Sequence, residues 1–201
     1  MMRSTQRLLA AHREIWDRAK HHPLLRLLER PPSERAFRRW LACELRWFER
    51  ATAAIGCLLS EIPKSHRYVV AQALLLLTEE LDWLEVHAEP GLEDPVVEYW
   101  GERIRAVFSE GWDRAMTVLW LGTRLFYEGM KPLEPEDELA REYWERRTSA
   151  VIEAFLHDFE ELADVAIEAL GMAEASALLL EVVEGQMALW DAGLGLVEGK
   201  E

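Results

Sequence analysis

Helical periodicity runs through nearly the whole chain, and no stretch alternates polar and apolar residues between Asn-Gly or Asp-Gly turns as a strand would. That property confines the fold to packed helices. Pro and Gly punctuate the pattern at Pro23, Pro31-Pro32, Pro63, Pro90-Gly91, Pro95, Gly111, Pro132, Pro135 and Gly171. Between these marks the spacing predicts helices over Thr5–Lys20, Pro23–Glu29, Ser33–Leu59, Ser65–Glu89, Pro95–Glu110, Gly111–Lys131, Glu136–Leu170 and Ala173–Val197. Each of the longer segments carries an apolar stripe on one face and Glu and Arg on the other. Long antiparallel helices joined by short turns make a bundle. With 201 residues, half of them apolar, the chain is long enough for one core and short for two, so it reads as a single all-α domain spanning residues 1–201.

A formal charge of −14 argues against nucleic acid and against anionic membrane surfaces as partners. The longest apolar run, Tyr68 to Leu77, is too short to span a bilayer, and the N-terminal stretch lacks the apolar region of a signal peptide. A cytoplasmic protein is therefore expected. The two cysteines, Cys43 and Cys57, form no C-x-x-C pair and read as small core residues rather than a disulfide or zinc site. Arg far outnumbers Lys and Asn is absent, a composition that suits a heat-adapted source.

The stretch Phe37-Arg-Arg-Trp-Leu-Ala-Cys-Glu-Leu-Arg-Trp-Phe48 carries the most chemical information. Ser33, after Pro31-Pro32, can cap its helix. Phe37, Trp40, Leu41, Glu44, Trp47 and Phe48 then recur three or four residues apart, which puts Glu44 on the inward stripe. An ionised carboxylate buried alone is costly, so Glu44 needs a partner or a shifted pKa. Nine Trp residues stand out, several sharing a stripe with an acid: Trp40 and Trp47 with Glu44, Trp83 with Glu80, Trp190 near Gln186. Packing alone accounts for such rings; an aromatic cavity for a flat heteroaromatic ligand is the functional alternative.

A second possibility is metal. Glu80 and His87 lie two turns apart on one helix face, and His157, Glu161 and Asp164 form a row that Glu128 would join in an oxidase-like site. The Glu-x-x-His motif of di-iron bundles is missing, and an exposed His in an acidic helix is ordinary, so neither metal nor cofactor is expected. Nucleophile elbows, phosphate loops and Ser-His-Asp patterns are likewise absent.

The segment from Glu34 to Trp47 resembles the "F-x-x-Y-L-x-Q-D-x-x-Y" signature of the TenA family, thiaminase-II-like proteins of the haem-oxygenase-like helical fold. On that resemblance Glu44 takes the place of the pyrimidine-binding Asp, and Trp47 that of the aromatic one turn on. Tyr99 after Pro95, Phe126-Tyr127-Glu128 and Gln186-Met-Ala-Leu-Trp190-Asp191 resemble later motifs in the same order. The family's nucleophilic Cys falls at Gly122, and Gln186 replaces its acid/base Glu. Gln can hydrogen-bond but cannot transfer a proton at neutral pH.

What the resemblance implies is a homodimer or homotetramer binding a pyrimidine-like small molecule of thiamin metabolism. Glu44 and Glu128 would be the remaining carboxylates for any hydrolysis, and Trp47, Tyr99, Gly122, Phe126, Tyr127, Gln186 and Trp190 the ligand-binding set. Glycine at position 122 would also enlarge the pocket. A haem-oxygenase-like metal oxidase and a non-catalytic helical interaction protein stand as the alternatives.

Overall fold

A computed structural model describes residues 2–91 and 94–198. It comprises α1 (Ser4–Ala11), α2 (Arg13–Lys20), α3 (Pro23–Glu29), α4 (Glu34–Leu58), a 3-10 turn at Lys64–His66, α5 (Arg67–His87), α6 (Pro95–Ser109), α7 (Trp112–Met130), α8 (Glu138–Thr148), α9 (Ala150–Leu170) and α10 (Met172–Glu198). Among the described residues there is no strand.

The helix ends follow local chemistry. Ser33 Oγ accepts from the Ala36 amide at 3.1 Å, Asp94 Oδ1 from Val96 at 2.8 Å, and Asp137 Oδ1 from Ala140 at 3.0 Å, each satisfying a donor that the first helical turn leaves free. Gly171 ends α9 at φ +84°, a conformation that disfavours side chains, and lets the chain reverse into α10.

Two expected helices are each divided. Thr5–Lys20 breaks at His12, whose φ of −117° and ψ of 24° leave the helical region and separate α1 from α2. The segment Glu136–Leu170 breaks at Ser149, which is extended at ψ 160° and accepts through its hydroxyl from the Ile152 amide at 3.4 Å. A serine inside a helical pattern can cap as readily as continue, because its hydroxyl competes for backbone donors. Here it caps α9. The second break matters for function, since it turns α8 and α9 into separate walls.

α10 packs against both α4 and α7; α5 and α6 flank α4, while α2 and α9 flank α7. One hydrophobic core joins them, with Trp40, Trp120, Trp190 and Tyr143 essentially removed from solvent. Burying a side chain of that size removes on the order of 200 Å² from water, worth about 5 kcal/mol. The indole of Trp40 reaches α10 at a position without a side chain: a Cβ at Gly193 would lie 2.4 Å from the Trp40 ring and 3.2 Å from Leu24.

Gly193→Ala is thus expected to destabilise the protein by about 1 to 3 kcal/mol through overpacking, despite alanine's better helix propensity. Urea unfolding midpoints at unchanged m-value measure this; a variant as stable as the parent would mean that α10 moves away at no cost.

Candidate functional site

Five long helices and the end of a sixth enclose a cavity of about 130 Å³. α4 contributes Trp40, Cys43, Glu44, Trp47 and Phe48; α7 contributes Leu119, Gly122, Thr123, Phe126 and Tyr127; Glu80 of α5, Arg147 of α8, Phe155 of α9 and Gln186 of α10 complete the chemically distinctive wall. A cavity of roughly 150 Å³ admits a benzene ring, so this space fits one six-membered aromatic ring.

Glu44 is the polar centre of the wall. Its Oε2 accepts from Tyr143 Oη at 3.0 Å and from Arg147 Nη2 at 3.1 Å, and neither bond engages Oε1, which has no partner among the described residues. Arg147 also lies 3.8 Å from Glu80 through its Nε, and Glu80 accepts from Arg146 Nε at 2.7 Å. The Arg147 guanidinium sits 4.4 Å over the Phe48 ring and 4.9 Å over that of Tyr143, a cation–π arrangement that compensates for lost water.

Burial pushes the Glu44 carboxyl above its ordinary range and nearby Glu80 adds to this, outweighing the opposing pull of Arg147 and of the Tyr143 hydroxyl. Tyr143 is held well above its usual value by burial and by Glu44. Burial lowers Arg147, but Tyr143, Glu80 and Glu44 together raise it, so it stays charged. The Cys43 thiol, also in the wall, is pushed up to about 12 by burial, which keeps it protonated at neutral pH.

Of the residues singled out from the sequence, Glu44, Trp47, Gly122, Phe126, Tyr127 and Gln186 line this cavity. Three others stand elsewhere. Tyr99 is 64% exposed on the outer face of α6, and it is its neighbour Trp100 that follows the inward stripe of Val97, Gly101, Val107 and Phe108. Consecutive helical residues point about 100° apart, so a one-residue offset turns an inward ring outward. Glu128 is likewise one step past Tyr127. It faces α2, accepting from Trp16 Nε1 at 2.9 Å and Arg124 Nε at 2.6 Å with Lys20 at 3.3 Å. Burial would raise its carboxyl, but those bonds and charges hold it below the usual value, as befits a carboxylate locking α2 to α7. Trp190 is fully buried behind the wall, its ring 6.2 Å from Phe126 and 5.5 Å from His22.

The oxidase set is dispersed. Glu80 is paired with arginines, His87 stacks on Trp83 at 4.5 Å, His157 and Glu161 are exposed, and Asp164 accepts from the Thr5 amide at 2.8 Å. Among the described residues no three His, Cys, Asp or Glu side chains come together as a metal site would need. No described helix is long and apolar enough to cross a membrane.

Tyr143 and Arg147 escape the sequence reading because an unbroken helix through Ser149 makes Arg146-Arg147 part of a solvated face. The signal lies in the run Arg146-Arg147-Thr148-Ser149, where two cations precede a capping residue as they do at a helix C-terminus. Tyr143 and Arg147, four apart, then share one face of α8.

An all-α bundle with an aromatic cavity closed at one end by buried carboxyl groups is the class that fold and site define. No protein-family model matches the chain, nor does any curated protein sequence. Solved structures do match. A TenA homologue from Pyrococcus furiosus superposes at TM-score 0.85 with 18% identity, covering 94% of this chain and 99% of its own. A TenA family transcription regulator from Silicibacter gives 0.82 at 14%, covering 95% and 96%, and a candidate TenA-like thiaminase from Sulfolobus solfataricus gives 0.79 at 11%, covering 96% and 97%. The chain therefore has the TenA helical fold, in agreement with the likeness of its motifs.

Because the folded state raises the pKa of Glu44, its neutral form is the one the fold favours. That contribution is complete below the ordinary carboxylate pKa and is lost as pH rises through the raised value. The stability of the parent relative to Glu44→Gln, from urea unfolding between about pH 4 and pH 8, should accordingly fall with rising pH. A difference that is flat or grows would contradict the assignment. Maleimide at neutral pH should label exposed Cys57 and spare Cys43, as peptide mass mapping would show.

Proposed function

We propose that the chain binds an aminopyrimidine-like ring in this cavity, as a TenA-type protein that holds its ligand without thiaminase chemistry. The observation that carries this reading is the Glu44 carboxyl group, with raised pKa, set into an aromatic space the size of one ring. An aminopyrimidine presents a ring nitrogen beside an amino group, an acceptor next to a donor. With Oε2 already occupied, a protonated Glu44 offers its Oε1–H as a donor to that ring nitrogen. Tyr143 and Arg147 hold Oε2 and fix the plane of the group, and Oε1 is left for the ligand. Trp47, Phe126 and Tyr127 supply faces for stacking, and Gln186, whose side chain makes no hydrogen bond among the described residues, supplies a further donor and acceptor.

The residues present favour binding over cleavage. Gly122 carries no nucleophile, the Cys43 thiol does not ionise at neutral pH, and Gln186 cannot move a proton. Glu128 turns toward α2. The names of the fold relatives, one a regulator and another a candidate thiaminase, fit a scaffold on which ring binding is shared and chemistry varies.

A thermal-shift titration with thiamin and with simple aminopyrimidines tests the reading. A ligand at a hundred times its Kd stabilises by about 2.7 kcal/mol, which is readily seen as a rise in Tm. Glu44→Ala, which removes the group, should weaken binding by roughly 5- to 100-fold, the cost of leaving a buried hydrogen-bonding partner unsatisfied. Silence from every aminopyrimidine, or an undiminished shift in Glu44→Ala, would overturn the proposal.

A further inference from the structure

A second cavity, of about 50 Å³, lies beside the first between α6, α7 and α10. The two share Trp47, Leu119, Gly122, Gln186 and Leu189 as common wall. Beyond that wall the second space is lined by Trp100, Ile104, Val107, Phe108, Val118 and Val182. Its charged neighbours, Arg103 and Glu181, are bonded to each other through the guanidinium Nε and Nη2 and so call for no charged guest. Trp100 is seated on α10 where a Cβ at Gly185 would lie 2.8 Å from its ring, which holds the indole as a fixed boundary.

Gly122 stands in the shared wall, and a Cβ built on it would meet nothing within 4 Å. Any side chain there would project into open space. Glycine in a helix interior is a poor choice for stability when alanine would fit, and neither a turn nor a close approach requires it here. What its absence of a side chain does accomplish is to leave the shared wall bare at that point.

We propose that the site is bipartite: the ring cavity continues past Gly122 into the apolar chamber, which accepts a short alkyl branch carried by the ring ligand. This inference rests on the ring-binding reading above and gives the ligand a class, an aminopyrimidine-like ring bearing about two or three apolar carbons. The size follows by scale, since one water takes about 30 Å³ of liquid and a cavity of about 150 Å³ admits a benzene ring. Each buried methylene should tighten binding by about fourfold.

Calorimetric titration with aminopyrimidines carrying hydrogen, methyl, ethyl or propyl at one ring carbon, each open carbon tried in turn, tests it. For one position of attachment the ethyl compound should bind roughly 15-fold more tightly than the unbranched ring, with no further gain once the chamber is full. The readout is this ratio within each protein. It should fall toward one in Val182→Phe, which fills the chamber, and shrink in Gly122→Ala, a mild change with space for its methyl group. A ratio near one at every position in the parent, or one that survives both substitutions, would overturn the bipartite site while leaving ring binding intact. Failure of the whole series, the unbranched ring included, would overturn both.

Discussion

A single guanidinium, that of Arg147, stands between two buried carboxyl groups that arrive on different helices, Glu44 from α4 and Glu80 from α5. A charge taken out of water must be paired and hydrogen-bonded or it unfolds its surroundings. Three helices are thereby tied at one point, and the tie forms the polar end of an otherwise apolar cavity. Remove the cation and two acids face each other in a desolvated space; remove one acid and the cation still has the other. The arrangement tolerates proton exchange at Glu44, because Arg147 keeps a partner in either state. A carboxyl group that can hold or release a proton without loosening the bundle suits a ligand whose own ring nitrogen is basic.

Much of the fold was legible because burial at helical spacing is a strong, redundant signal: α3 was read with both ends in place, and α4, α6 and α7 to within a residue or so. The divisions at His12 and Ser149 were not, since both residues sit in sequences whose apolar rhythm carries straight through them. Tertiary packing decides whether a serine continues a helix or caps the next one, and at Ser149 the two cations before it are a local hint that the apolar rhythm outweighs.

The cavity was legible to the extent that its residues lay on stripes already fixed by burial. Glu44 and Trp47 share the stripe of Phe37, Trp40 and Phe48, so placing them needed only the period. Phe126 and Tyr127 could be placed together near the space, but Glu128, the next residue, swings away to Trp16. Motif likeness supplies order along the chain and not direction around a helix, which is why it points to Tyr99 while the fold turns Trp100 inward. The partner of Glu44 was out of reach for a different reason. Contacts between residues about a hundred positions apart, such as Tyr143 and Arg147 with Glu44, leave no trace in local pattern.

Gly185 and Gly193 lie two turns apart on α10, and each receives an indole from another helix, Trp100 in one case and Trp40 in the other. Trp40 walls the larger space and Trp100 the smaller. The last helix thus acts as a rail with two seats, and it cannot slide or rotate without unseating both rings at once. The dimensions of the two compartments are mechanically geared together, so a change of guest in one would be felt as a change of shape in the other.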